Sequence, residues 1–430
     1  MTDKLSYDEL IRLISENKSA LICGNGFSIN FDDRYKCWNL MNSLYTAHKY
    51  VLTHYEYKIK ANKNFKDVFD TNFNGARKEM KRLDTKEKFI AFFDDAVKFV
   101  RTIIDNPNVL EWLEESKVDY TLKFGLRCTD LLKNIYNQYK NNPLNVNYEY
   151  WTIVIYFVLA MKSAPADLYV LDTENVFIKA VLAGAQLSID KPKGEKTAEE
   201  YTVVNGVFIY FRFLFSVNIL LNGDSVNVER LEKWSSFDIN SINEFLSYFD
   251  SLMTTNYDMI LENISHRNIG HLHGYYAKKS TTVWSQSLSV NYGLTKYDLS
   301  TIIIGDYFIS KSIYGNIVNI SKSQIQNTKT KTYDEIIKEN TKNKEANNVV
   351  IFGLNVDNDY HIIRSIQINL ANLDNPQIAY CYYSDEDRKS FENIYNLCIT
   401  YSEDLKEAVR NIKLVYVDSK EIIAEIFKQK

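Results

Sequence analysis

The chain has 430 residues, 45% of them apolar and 25% charged, so it can bury a sizeable core and is not disordered by composition; two structural units suit that length. Lys plus Arg total 51 and Asp plus Glu total 55, a net charge of −4, which gives no electrostatic footprint for DNA or RNA. Five scattered cysteines (Cys23, Cys37, Cys128, Cys381, Cys398) form no CxxC pair, which argues against a four-cysteine zinc site and a disulfide scaffold and fits a reducing, cytoplasmic compartment.

The N-terminal stretch MTDKLSYDELIRLI is amphipathic and acidic, unlike a signal peptide. Ser6 and Glu9 have capping-box spacing, and Leu10, Ile11 and Ile14 follow on one face, which predicts a first helix. Residues 19–24 form a short apolar run ending at glycine, a buried strand that turns at Gly24-Asn25-Gly26. From 61 to 244 apolar residues recur at helical spacing, over 89–104, 120–139, 150–161 and 202–221. The last run is long enough to span a bilayer, but Arg212 sits at its centre with Asn205 and Asn218 nearby. A central Arg costs roughly 2.5–3.5 kcal/mol on insertion scales, so a buried helix and no membrane span is the expectation.

After 244, strands and helices alternate. Strand candidates are 251–255, 269–272, 301–304, 349–352, 377–382 and 413–417; helical stretches at 357–370, 385–397 and 419–428 separate the last three. Residues 321–347, rich in Ser, Lys, Asn and Thr, predict a loop and a short helix. The implied fold is α/β: a Rossmann-like, doubly wound, mostly parallel sheet in a discontinuous domain (1–60 plus 245–430), with a large inserted helical domain (61–244).

Four constellations could carry chemistry, each at a predicted strand end, where open parallel sheets bind ligands. In Gly24-Asn25-Gly26-Phe27-Ser28 a strand runs into Gly-x-Gly, which lets backbone N–H groups approach a pyrophosphate; an ordinary glycine turn is the competing reading. Ile29 replaces the third glycine of the dehydrogenase fingerprint, which disfavours a dehydrogenase. In Thr254-Thr255-Asn256-Tyr257-Asp258, Asn256 can donate and accept, so it suits a ribose hydroxyl or a water, or else an Asx turn; Asp258 suits a helix N-cap. In His271-Leu272-His273-Gly274, alternation puts both histidines on one side of a strand. With no further ligand at metal spacing, a general base is preferred to a zinc pair, and no metal is expected. In Gly353-Leu354-Asn355-Val356-Asp357, Asp359 and His361 then open a helix, Asp359 as a cap or first-turn acid.

Taken in order, GNGFS, TTNYD, HLHG and GLNVDND resemble the sirtuin-like domains of bacterial anti-phage defence (abortive infection) proteins. The resemblance covers about half the chain. It implies that Asn256 and His273 match the catalytic Asn and His. Gly24, Asn25, Gly26, Phe27, Ser28, Asp33, Thr255, Asp258, Gly353, Asn355 and Asp359 would hold NAD. The segment from Asp33 through Trp38 to Leu40 looks like the stretch that folds over the nicotinamide end. The implied activity is hydrolysis of NAD, as substrate, at the nicotinamide–ribose bond to give nicotinamide and ADP-ribose. An antiviral NADase of this kind needs a trigger, which could be homo-oligomerisation, a companion defence protein or a phage product. The alternative is a module that binds NAD or an ADP-ribose derivative without turnover and regulates a partner protein.

Overall fold

The computed structural model describes residues 3–59, 63–116, 118, 127–187, 202, 204–276, 286–299, 302, 331–400 and 403–430. Among them the strands, in chain order, are β1 (Asp3–Leu5), β2 (Ser19–Cys23), β3 (Tyr55–Ile59), β4 (Ser251–Thr254), β5 (Gly270–His271), β6 (Gln286–Tyr292), β7 (Thr295–Asp298), β8 (Asn348–Phe352), β9 (Gln377–Tyr382) and β10 (Lys413–Asp418). Seven of these make one sheet in the order β1-β10-β9-β8-β2-β4-β5, and every neighbouring pair in it is parallel. The expected Rossmann-like α/β sheet is therefore present. The residues of β2, β4 and β8 are buried throughout, the continuous pattern of a parallel sheet covered on both faces. Successive strands step from β2 to β4 and β5, then resume at β8 on the other side of β2, so the strand order reverses there.

The first helix, Tyr7–Glu16, starts at the predicted capping box. Ser6 Oγ accepts from the Glu9 N–H at 3.3 Å, and the Glu9 carboxylate accepts from the Ser6 N–H at 2.8 Å. Helices Tyr360–Leu370, Asp385–Thr400 and Ser419–Ile426 alternate with β8, β9 and β10 near the predicted bounds. Helix Tyr333–Asn340 is the short helix expected within 321–347. Of the strand candidate 301–304, all but Ile302 lies outside the described residues.

The chain forms two compact units. One comprises Met1–Lys36, Leu220–Tyr276 and Thr330–Lys430; the other comprises Cys37–Ile219 and Ala277–Lys329. The divisions at 60 and 245 expected from local patterning thus differ from those of the fold. Helix Cys37–His54 packs on helix Gly206–Ile219, and β3 pairs antiparallel with β6, which pairs with β7. These long-range pairings draw 37–60 and 277–329 into the second unit. The same unit holds helices Lys86–Ile104, Cys128–Tyr139 and Trp151–Met161, close to prediction; the start of the expected 120–139 helix lies outside the described residues up to 126. Arg212 is buried in helix Gly206–Ile219, where its Nε donates to the Ile302 carbonyl at 2.8 Å. No helix among the described residues is long and apolar enough to cross a membrane.

The loops after β2 and β8 meet backbone to backbone. Gly24 N–H donates to Phe352 O and Gly26 N–H to Gly353 O, both at 2.9 Å. A Cβ on Gly26 would lie 2.7 Å from Gly353 Cα, and one on Gly353 would lie 2.8 Å from Gly26 Cα. Gly353 also has φ +67°, a left-handed conformation that costs a side chain about 1–2 kcal/mol. Gly293, φ +59°, has open space around it. We therefore expect Gly353→Ala to lose clearly more stability, on the order of 3 kcal/mol, than the roughly 1 kcal/mol of Gly293→Ala. Urea unfolding followed by circular dichroism measures both; equal losses would remove the close-approach argument.

Candidate active site

Register brings the four motifs level. Cys23 pairs with Thr254 on one side and Phe352 on the other; Thr254 in turn pairs with His271. The strands are parallel, so their carboxyl ends share one edge. Gly24, Thr255, Leu272 and Gly353 each come one residue past that row, and Asn256 and His273 each come two past it, in the segments that leave the neighbouring strands β4 and β5.

The first cluster is a chain of buried hydrogen bonds. Asn256 Nδ2 donates to Gly24 O at 3.0 Å and to Ser28 Oγ at 2.8 Å. Ser28 Oγ donates to Asp258 Oδ2 at 2.7 Å, and Asp258 Oδ1 accepts from the Ile260 N–H at 3.1 Å. Thr254 Oγ1 bridges from Cys23 O to the Asn256 N–H, and the Thr255 N–H donates to Cys23 O. Asp258 thus serves the start of helix Ile260–Ser265, as a cap would, and also anchors Ser28. Burial pushes its carboxyl up to about 6, against the lowering pull of the Ser28 and Ile260 hydrogen bonds.

His271 belongs to this cluster and not beside His273. Its Nδ1 meets Asn256 O at 3.0 Å and its Nε2 meets Glu262 at 2.5 Å. Burial alone would lower its pKa, but the Glu262 hydrogen bond and charge outweigh that and raise it. Since β5 ends at His271, the next residues turn, and the expectation that strand alternation puts both histidines on one side is corrected.

His273 instead joins a second cluster. Its Nε2 lies 3.2 Å from His361 Nε2 and 3.5 Å from Asp359 Oδ1, all three residues being buried. Asp359 occupies the N-cap position of helix Tyr360–Leu370, as expected, but its side chain makes no cap bond there and lies beside His273. His361 is the site residue that sequence reasoning passed over. It stands 88 positions from His273, and only its place two residues after an acid at a helix start marked it.

The remaining candidates divide. Gly24 and Gly26 have their N–H groups committed to Phe352 and Gly353, so pyrophosphate donation by those two groups is corrected; the approach of the Gly353 loop accounts for both glycines. Asn25 is exposed and donates to Tyr35 O at 3.0 Å. Phe27 is core, packed on Phe31, Phe352 and Phe427. Asp33 pairs with Lys36 and Lys233, both at 2.9 Å. Asn355 is exposed and accepts from the Asp357 N–H at 3.1 Å, an Asx turn. The side chain of Trp38 lies outside the described residues. A further residue missed in sequence is Asp32, buried and paired with Arg34 at 2.7 Å; Arg34 also binds Asp224 at 3.0 Å, which ties the segment after the first loop to residues 224–232.

No family model matches the chain, and no curated protein or solved structure matches it.

The raised Asp258 pKa sets a pH dependence. The folded carboxyl keeps its proton to about pH 6, whereas the unfolded one releases it near 3.8, so the folded state binds the extra proton between those values. Asp258 therefore lowers stability as pH rises through that window, by up to about 3 kcal/mol above it. Asp258→Asn, which keeps the shape and can still accept from the Ile260 N–H while its amide would donate toward Ser28, is expected to gain on the parent protein from pH 4 to pH 7.5. Paired urea titrations at the two pH values check the sign; a gain that shrinks with pH would refute it.

Proposed function

We propose that the protein hydrolyses NAD at the nicotinamide–ribose bond. The observation that carries this reading is Asn256, held just past the carboxyl end of β4 by Gly24 and Ser28, with His273 just past the carboxyl end of the neighbouring strand β5. With both Nδ2 hydrogens donated inward, Asn256 offers its Oδ1 to a ribose hydroxyl or to a water. Nicotinamide leaves a cationic ring as a neutral molecule, so the reaction needs little acid and chiefly needs the ribose cation stabilised. A carbonyl dipole suits that cation. Above about pH 6 the Asp258 carboxylate, behind Ser28, adds negative charge through the same chain. His273 would take a proton from a ribose hydroxyl or the attacking water.

The reading supports a wider proposal: an anti-phage effector that depletes NAD, working in the cytoplasm. In it the second unit acts as an inserted, mostly helical lobe that receives the trigger, whether a second copy, a companion protein or a phage product. Basal turnover is then low, and activity appears once the trigger is present.

The test is incubation of the purified chain with NAD, alone and with candidate activators, while nicotinamide and ADP-ribose are followed by chromatography. Asn256→Ala and His273→Ala should each lower turnover by about 10²–10⁴ with the circular dichroism spectrum kept. Full turnover in both variants would reject the assignment. Tight binding of NAD without product under every condition would favour the sensing module instead.

A further inference from the structure

His273 follows β5 and Asp359 and His361 follow β8, yet one donor atom from each lies within 4.0 Å of the other two. The His273 Nε2 lies 3.2 Å from His361 Nε2 and 3.5 Å from Asp359 Oδ1; the His361 Nε2 lies 4.0 Å from that oxygen. All three residues are buried. Two imidazole nitrogens that face each other can share only one proton between them. A cation at the centre would satisfy both lone pairs and the carboxylate together. In a tetrahedral site with bonds of about 2.0–2.1 Å, ligand atoms stand roughly 3.3–3.5 Å apart, so the three observed separations fall within about 0.5 Å of such a triangle.

We propose that His273, Asp359 and His361 bind one divalent transition-metal ion, with zinc as the best match, leaving a fourth position to water or a ligand oxygen. Two imidazoles and one carboxylate without a thiolate are a borderline donor set, suited to zinc or iron(II) rather than to calcium or magnesium. Three protein ligands with a fourth position open is the pattern of a reactive site, whereas structural zinc is closed by four. The Tyr333 ring stands edge-on to the His361 ring at 4.7 Å between centroids and holds its plane. The sequence offered no third ligand near the histidine pair because the other two ligands come from a distant segment that only the sheet register brings alongside.

This inference does not rest on the NAD reading, because metal uptake is measured with no nucleotide present. Where both hold, the ion takes the Nε2 lone pair of His273, which withdraws that side chain from proton transfer and makes zinc an inhibitor of hydrolysis.

The experiment uses the tag-free full chain, stripped with a chelator and exchanged into buffer. Zinc sulfate is titrated by calorimetry, and zinc retained after gel filtration is counted by mass spectrometry. The expected result is one zinc per chain, with affinity at least tenfold weaker in Asp359→Asn and in His361→Gln and unchanged in His54→Gln. Circular dichroism establishes that each variant is folded; if His361→Gln is not, the near-isosteric Asp359→Asn decides. Absence of retained zinc in the parent protein overturns the proposal. So does full retention by the folded cluster variants, which would put the metal elsewhere.

Discussion

The architecture of the candidate site depends on one steric constraint: the loops leaving β2 and β8 cross with no side chain between them. Gly24, Gly26 and Gly353 approach so closely that a methyl group on any of them meets backbone. That contact fixes where the four-residue helix Asn25–Ser28 begins. The helix in turn points Phe27 into an aromatic core with Phe31, Phe352 and Phe427, and sets Ser28 on the opposite errand, toward Asp258 and Asn256. The glycines are thus structural first, and whatever ligand the edge takes meets a loop already braced by its neighbour.

On that brace stands a run of buried polar groups with complementary needs. Asn256 donates twice, Ser28 receives and passes on a hydrogen, and Asp258 accepts from both Ser28 and a helix N–H. A buried donor or acceptor left unmet costs about 1–3 kcal/mol, so each member holds the next in place. The cost of this order falls on Asp258, whose charged form is poorly solvated. Such tension between stability and ionisation is common where a fold prepares chemistry.

Much of the sheet could be read from the sequence because its strands are short, apolar and bounded by glycine or polar turns. Residues 377–382 match β9 to the residue, and 251–255, 349–352 and 413–417 err by one position at an end. The antiparallel strands β3, β6 and β7 were missed, since β3 and β6 become strands by pairing with each other across more than 200 positions. The polar chain around Asn256 was half legible: its residue types and strand ends were visible, whereas the inward commitment of Gly24, Gly26 and Ser28 depends on contacts that no local pattern records. His361 was beyond reach for the same reason, and so was the parting of His271 from His273, which turns on β5 stopping one residue short of Leu272.

The sheet's connectivity also has a bearing on biosynthesis. Ser19 on β2 bonds to Asn348 on β8, 329 positions later, and β1 pairs with β10. Contacts of such separation form late and slowly. As the ribosome delivers the chain, β2 must wait, one edge bare, until most of the polypeptide has emerged, while the helices of 37–219 can already settle among themselves. A nascent chain that ends before β8 would carry Asn256 and His273 yet lack Gly353 and His361, which pack against Gly26 and His273, so an unfinished chain cannot assemble the edge prematurely.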